Sequence, residues 1–269
     1  MQSLALFDLT GKRVAVVGTG ASAIQIVPAI AGTAEHVTLV QRTAPWILPR
    51  HQHDYTALVK QAFRRVPGLR ALHRAQLYWQ NELRFLGFGR LNALLMPVVE
   101  QLSSRYLRSQ VADPELRAKV TPDYRLGCKR MLISDDYYPS LTRDDVSVVT
   151  DGIAEVTPTG LRFEDGTAVD VDVIVYCTGF HIEEPLGQLE VRGVGGTTLS
   201  EAWADRPISW MGVAMPGFPN MFLMVGPNSG LGHNSIIFMI ESQLNHVVPA
   251  LQRIVQGDVV ELDLKPSAL

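Results

Sequence analysis

Residues 12–42 constrain the fold more than any other segment, because they have the order strand, glycine-rich turn, helix and strand. Residues 14–17 are all apolar, which is typical of a parallel strand buried on both faces. An apolar helix follows and ends near Gly32, and residues 37–40 form a second strand. This order predicts a βαβ unit and therefore an α/β fold.

The turn between the first strand and the helix matches the dinucleotide-binding pattern G-x-G-x-x-A. Its residues are Gly18, Thr19, Gly20, Ala21, Ser22 and Ala23. Gly18 permits the tight turn, Gly20 lets the backbone approach a pyrophosphate, and Ala23 keeps the helix close to the strand. The pyrophosphate would lie at the N-terminus of the helix, where backbone N–H groups and the helix dipole favour an anion. Because a strand precedes the motif and a helix and second strand follow it, we interpret it as a nucleotide site rather than a chance glycine turn.

The end of the second strand indicates which nucleotide binds. An NAD site usually has Asp or Glu there to hold the ribose 2′-hydroxyl, whereas this strand ends in Gln41, Arg42 and Thr43. A guanidinium can hold the 2′-phosphate of NADP through two hydrogen bonds, and the Thr43 hydroxyl can assist. We therefore predict NADP as the cofactor, with an ordinary surface role for Arg42 as the alternative.

The remaining segments alternate between helical and β patterns. Helical periodicity, interrupted by glycine and proline, predicts helices over residues 55–66, 69–85, 91–111 and about 235–255. Asp113 and Pro114 have the residue types of an N-cap and a first helical position, so another short helix should begin there. Strands are predicted over residues 146–149, 153–156, 161–163 and 169–176, with a hairpin turn at Asp165-Gly166.

Composition argues against several classes of protein. The chain has 24 Lys and Arg against 27 Asp and Glu, and this balance disfavours a nucleic-acid binder. We find no apolar run near the roughly 20 residues of a membrane span, and no signal-peptide pattern. Cys128 and Cys177 are far apart and lack Cys-x-x-Cys spacing, so we treat them as structural. We expect a cytoplasmic protein, and no His or Cys cluster indicates a metal site.

Four motifs follow one another along the chain. They are residues 9–23, Gly127-Cys128-Lys129-Arg130 with Ser134-Asp135-Asp136-Tyr137-Tyr138, Cys177-Thr178-Gly179-Phe180, and residues 226–235. In this order they resemble flavin-containing monooxygenases of the Baeyer–Villiger type. The first is similar to the start of that family's NADPH domain and the second to the segment around its catalytic arginine. The third is similar to the Ala-Thr-Gly linker to the FAD domain, with Cys in place of Ala, and the fourth to a late loop of the FAD domain.

The resemblance implies roles for individual residues. Arg130 would be the catalytic cation, and Lys129 would be a second contact to the 2′-phosphate of NADP. The other implied cofactor-binding residues are Thr178 and Gly179 in the linker, and Asn228 and Asn234 in the late loop. A basic pair on a solvated loop is the alternative for Lys129 and Arg130. For Asp135 and Asp136 we favour capping or turning of the chain over a pair of catalytic acids.

The resemblance also implies a domain organisation. Residues 9–180 would form a Rossmann-like NADP-binding domain with a helical insertion at about 51–120, and residues 181–269 the C-terminal part of a FAD-binding domain. The arginines of the insertion would form a solvated face, with a membrane-surface or partner-docking role as the alternative. Only residues 1–8 precede the first motif, so we expect the family's N-terminal FAD-binding G-x-G-x-x-G to be missing from this chain.

The implied activity is that of an NADPH- and FAD-dependent monooxygenase. It would transfer one oxygen atom from O₂ to a ketone or a soft heteroatom through a peroxyflavin. Arginine suits the catalytic role because it stays protonated beside developing negative charge. One alternative is a non-catalytic NADP-binding fragment, which folds partly or pairs with a separately supplied flavin-binding portion. Another is a relative of the pyridine-nucleotide disulfide reductases, which the absence of Cys-x-x-Cys disfavours.

Overall fold

The computed structural model describes residues 7–50, 54–88, 91–179, 189–230 and 235–269. The strands are β1 (Arg13–Val17), β2 (His36–Val40), β3 (Ile47–Leu48), β4 (Leu132–Ile133), β5 (Val146–Val149), β6 (Ile153–Thr157), β7 (Gly160–Phe163), β8 (Ala168–Asp170) and β9 (Val173–Tyr176). The α-helices are α1 (Ala23–Ile30), α2 (Ala57–Arg65), α3 (Leu69–Phe88), α4 (Asn92–Gln110), α5 (Pro114–Lys119), α6 (Tyr137–Leu141), α7 (Leu199–Ala202) and α8 (Ile236–Val255). The chain divides into two compact units, one of Met1–Arg70 and Leu86–Phe180 and the other of Ala71–Phe85 and His181–Leu269.

The centre of the first unit is a four-stranded parallel sheet with the strand order β5-β2-β1-β9. Apolar side chains of its two central strands pack with α1 in the main core, and the fully buried ones are Val14, Val16, Val37 and Leu39 of the strands and Ala23 and Val27 of the helix. The predicted βαβ unit is confirmed, because β1 and β2 are parallel neighbours and α1 connects them. The helix runs through Pro28 to Ile30.

The segment predicted as one strand over residues 169–176 is divided. β8 pairs antiparallel with β7, whereas β9 pairs parallel with β1. Asp172 lies at the division, where its carboxylate accepts hydrogen bonds from the backbone N–H of Arg13 at 2.8 Å and from the Arg13 guanidinium at 3.1 Å. The prediction of one continuous strand is wrong because the apolar residues on either side of Asp172 serve two different sheets.

A short parallel pair, β3 with β4, was not predicted. It aligns Ile47 with Leu132 and Leu48 with Ile133. Ile47 is fully buried, and its carbonyl accepts a hydrogen bond from the Ser103 hydroxyl of α4 at 2.8 Å. This pair brings together two segments that are distant in sequence, the one after β2 and the one that contains Lys129 and Arg130.

The helices of the predicted insertion are present. The predicted helices over residues 55–66, 69–85 and 91–111 are confirmed as α2, α3 and α4. Asp113 is the N-cap of α5, and its carboxylate accepts hydrogen bonds from the backbone N–H groups of Glu115 and Leu116, each at 3.1 Å. Across the described ranges, no helix combines the length and apolar character that a membrane crossing requires.

The second unit combines α8 with the largely irregular segment of residues 189–230. Its core contains Leu199, Trp203, Met215 and Phe218. The predicted C-terminal helix is confirmed as α8, which buries Gln243 and Val247.

Candidate nucleotide-binding site

The glycine turn after β1 lies directly against the end of β9. Gly18 has a φ of +111°, and a Cβ atom there would be 2.5 Å from the carbonyl oxygen of Cys177 and 3.4 Å from the backbone nitrogen of Thr178. The Gly18 N–H donates to the carbonyl of Val40 at 3.0 Å, so the turn is fixed between the ends of β2 and β9. Glycine is required here because an L side chain would be strained and would overlap the neighbouring backbone.

Gly20 has the opposite environment. A Cβ atom on Gly20 would meet no atom within 4 Å, so the space beside this residue is open. Ala23 is fully buried at the start of α1, whereas Ala21 and Ser22 are exposed. The Ser22 side chain makes no capping hydrogen bond to α1, so the N-terminus of the helix is accessible to an anion.

A hydrogen bond joins the glycine turn to the loop that follows β2. The Thr19 hydroxyl donates to the carbonyl of Thr43 at 2.9 Å. Arg42 lies in this loop and is exposed, and it has no ion pair within the described ranges. Gln41 fixes the start of this loop, since it is 1 % exposed and its amide donates to the carbonyl of Lys119 at 2.7 Å. The residues predicted to bind the pyrophosphate and the 2′-phosphate therefore lie at one end of the sheet.

Trp46 connects this loop to the segment of Lys129 and Arg130. Its indole N–H donates to the carbonyl of Tyr124 at 2.7 Å, and its own carbonyl accepts from the N–H of Leu132 at 3.0 Å. Trp46 is 8 % exposed and packs in a buried cluster with Met96 and Leu126. Its hydrogen bonds give it a second effect, because they fix both ends of the segment that carries the two cations.

The side chains of Lys129 and Arg130 are both exposed, but their surroundings differ. The Lys129 ammonium lies 4.6 Å from the centroid of the Tyr124 ring, at the distance of a cation–π contact. Arg130 forms no ion pair with any residue that the structure describes. Sequence reasoning missed Tyr124, because an aromatic residue five positions before a lysine has no local signature.

The carboxylates of Asp135 and Asp136 accept hydrogen bonds from different partners. The Asp135 carboxylate accepts from the backbone N–H of Arg50 at 2.7 Å. The Asp136 carboxylate accepts from the Ser134 hydroxyl at 2.6 Å, and Asp136 is the N-cap residue of α6. The Asp135 contact agrees with the predicted turning role, whereas the Asp136 side chain makes no capping hydrogen bond to α6, and the N–H of Tyr137 donates to the Ser134 hydroxyl at 3.1 Å instead.

The late loop belongs to the second unit of the chain, whereas the glycine turn belongs to the first. Asn228 has a φ of +65°, and its amide donates to the carbonyl of Pro207 at 3.2 Å. The buried side chain of Gln243 holds the same loop, since it accepts from the N–H of Val225 at 2.8 Å and donates to the carbonyl of Met211 at 3.1 Å. Asn234, the other predicted residue, lies outside the described residues.

Comparison with known proteins gives related sequences of about twice this length, whereas no family model matches the chain. A Baeyer–Villiger monooxygenase of Pseudomonas aeruginosa is 44 % identical over 259 residues, which are 96 % of this chain and 49 % of that protein. A Baeyer–Villiger monooxygenase of Streptomyces coelicolor is 42 % identical over 98 % of this chain and 51 % of its own length. The chain thus spans about half the length of the curated relatives it matches.

Solved structures agree with the sequence relatives. OTEMO in complex with FAD and NADP matches 97 % of this chain and 55 % of its own, with a TM-score of 0.79 and 28 % identity. An oxidized steroid monooxygenase bound to NADP matches 97 % of this chain and 57 % of its own, with a TM-score of 0.78 and 28 % identity. Over nearly its whole length, the chain therefore belongs to the Baeyer–Villiger type of flavin monooxygenases.

Proposed function

We propose that the chain binds NADPH at the carboxyl ends of β1, β2 and β9. The Thr19–Thr43 hydrogen bond carries this proposal, because it holds the glycine turn beside the loop of Arg42. Ligands of open α/β sheets bind outside the carboxyl ends of the strands. The open space at Gly20 fits a pyrophosphate, and the exposed guanidinium of Arg42 fits a 2′-phosphate.

Replacement of Arg42 tests this assignment. A charge-assisted hydrogen bond contributes roughly 1.5–3 kcal/mol, so Arg42→Ala should raise the Kd for NADPH by about 10- to 150-fold. The Kd for NADH should stay nearly unchanged, because NADH has no 2′-phosphate. Isothermal titration calorimetry with both cofactors measures the effect, and Arg50→Ala is the matched control because Arg50 is also exposed and follows β3. Equal losses for NADPH and NADH would contradict the assignment.

We further propose that the site serves an NADPH- and FAD-dependent monooxygenase acting on a ketone or a soft heteroatom. The family relationship supports this activity, and the solved relatives include complexes with FAD and NADP. In the part of the chain that the structure describes, the glycine turn of β1 is the one dinucleotide cradle, and it is assigned to NADPH. FAD therefore needs a cradle from a flavin-binding portion. With that portion present, bound FAD would supply the activation of O₂.

Arg130 is the residue of this chain that we assign to the oxygen-transfer step. Its charge is available because it is exposed and unpaired within the described residues. A fixed cation stabilises the negative charge that develops during transfer of oxygen to a carbonyl. In an enzyme assembled with the flavin-binding portion, Arg130→Ala should abolish product formation while NADPH still reduces the flavin. Arg125→Ala is the control on the same segment, and loss of both half-reactions, or of neither, would contradict the role.

The second unit offers a surface for the flavin-binding portion. α8 carries a row of exposed apolar side chains at intervals of three, four and seven residues, namely Ile237, Leu244, Val248, Leu251 and Val255. The face that carries Phe238 is already occupied, because its ring lies 4.8 Å from the Tyr78 ring, and Glu241, at the edge of the row, pairs with Arg74. A helix that is apolar on two faces is normally covered on both, and we assign the second cover to the half of the family's fold that the given sequence does not span.

Reconstitution tests this surface. The chain should bind the N-terminal half of the Pseudomonas aeruginosa relative and retain FAD after gel filtration, and Val248→Glu should prevent both. Asn245→Glu, at an exposed position of α8 outside the row, is the control. Self-association of the chain through the row, or equal binding by both variants, would contradict the assignment. A colourless preparation that binds NADPH under all these conditions would support the non-catalytic alternative.

A further inference from the structure

We propose that Tyr124 strengthens the preference of this chain for NADPH over NADH, by positioning Lys129 for the 2′-phosphate. The inference rests on the proposed NADPH site and assigns to that site a positioning residue. Tyr124 does not supply a charge itself. It acts through the Lys129 ammonium group, which lies 4.6 Å from the centroid of its ring.

The Tyr124 ring is a rigid support. Its backbone carbonyl accepts the indole N–H of Trp46 at 2.7 Å, and the ring packs against the buried cluster of Trp46, Met96 and Leu126. Burial raises the pKa of the Tyr124 phenol, so the ring stays neutral at working pH and its face remains attractive to a cation.

A flexible cation gains from such a support. Lysine has a long side chain, and fixing it on a ligand costs rotamer entropy of up to about 2 kcal/mol. An aromatic face restricts the side chain before the ligand arrives, while the ammonium stays exposed and keeps its hydrogen-bond donors for a phosphate. Tyr124 therefore lowers the entropy cost of the contact between Lys129 and the 2′-phosphate.

The support is joined to the loop that carries the other phosphate-binding cation. Trp46 lies four residues after Arg42, and it binds both Tyr124 and Leu132 through hydrogen bonds. Arg42 and Lys129 thus lie on segments that share one buried anchor, which supports the contact to the 2′-phosphate that the family resemblance implies for Lys129.

A pair of substitutions at Tyr124 tests the proposal. Tyr124→Leu removes the ring face and should raise the Kd for NADPH by about 2- to 5-fold, with the Kd for NADH unchanged. Tyr124→Phe keeps the ring and should retain the wild-type preference. In a Lys129→Ala background, Tyr124→Leu should have no further effect on either cofactor. Isothermal titration calorimetry measures the affinities, and thermal unfolding by circular dichroism confirms that each variant is folded.

The possible results separate this inference from the NADPH site itself. An equal loss for NADPH and NADH, or an undiminished effect in the Lys129→Ala background, would show a merely structural role and overturn the inference. If Arg42→Ala and Lys129→Ala each weaken NADPH binding but Tyr124→Leu does not, this inference alone fails. If none of the three variants changes the NADPH affinity, the proposed site fails with it. Should Tyr124→Leu not fold, Tyr124→Met removes the ring with less change in volume and has the same expected outcome.

Discussion

Alanine at Gly18 and alanine at Gly20 should have opposite consequences, although only Thr19 separates the two positions in one turn. At Gly18 the added Cβ atom would be 2.5 Å from the Cys177 carbonyl oxygen, on a backbone with a φ of +111°. A positive φ costs an L residue about 1–2 kcal/mol, and overpacking a tight site costs about 1–3 kcal/mol more. Gly18→Ala should therefore destabilise the fold by about 2–5 kcal/mol, which lowers the melting temperature by roughly 4–20 °C for a chain of this size.

At Gly20 the same change should leave the fold intact, because the Cβ atom meets no atom within 4 Å. The methyl group would instead occupy space proposed for the pyrophosphate. An overlap of about 1–3 kcal/mol corresponds to a loss of roughly 5- to 150-fold in affinity for NADPH and NADH alike. Thermal unfolding by circular dichroism and calorimetric titration measure the two effects separately. A Gly18→Ala variant with the melting temperature of the wild type, or a Gly20→Ala variant that binds NADPH with unchanged affinity, would refute the reasoning.

Two further predictions concern one stabilising contact within each of the two units. Hydrogen bonds from Arg13 lower the pKa of Asp172, so the contribution of this carboxylate to stability is present above its unfolded-state pKa of about 3.9 and is lost as the pH falls through its lower folded value. Asp172→Asn should therefore lower the free energy of unfolding at pH 7, and this free energy should then fall less steeply below about pH 4, as measured by urea unfolding. The exposed Asp151→Asn is the control, and an unchanged dependence of stability on acid pH would contradict the assignment. In the second unit, Gln243→Leu should cost about 2–5 kcal/mol, since it leaves the N–H of Val225 and the carbonyl of Met211 without partners. Urea unfolding compares it with the exposed Gln252→Leu, and equal stability of the two variants would contradict the prediction.

Local patterns were sufficient to predict the nucleotide-binding unit. β1, the glycine turn, α1 and β2 follow one another within about thirty residues, and each has the residue types that its conformation requires. The Asp113 cap of α5 could be predicted for the same reason, since an N-cap depends on the next few residues. In both cases the contacts that decide the structure lie close together in sequence.

Features that depend on distant segments could not be predicted. Residues 173–175 are all apolar, yet β9 is an edge of the four-stranded sheet and Tyr176 at its end is 65 % exposed. The pairing of β3 with β4 involves two residues on each strand, too few for a periodic pattern. The Trp46–Tyr124 hydrogen bond crosses 78 positions, so neither residue reveals its partner. The contact between Tyr124 and Lys129 could therefore be recognised only in the folded structure.

The Thr19–Thr43 hydrogen bond has a consequence for how cofactor preference can evolve. Its acceptor is the backbone carbonyl of residue 43, which every amino acid provides, and so the side chains at positions 42 and 43 can change without releasing the glycine turn. Substitutions there would alter which ribose is recognised while the diphosphate cradle keeps its shape. In the proposed site, the end of β2 is thus a position where selection could exchange one nicotinamide cofactor for another in a few mutational steps, each through a folded intermediate.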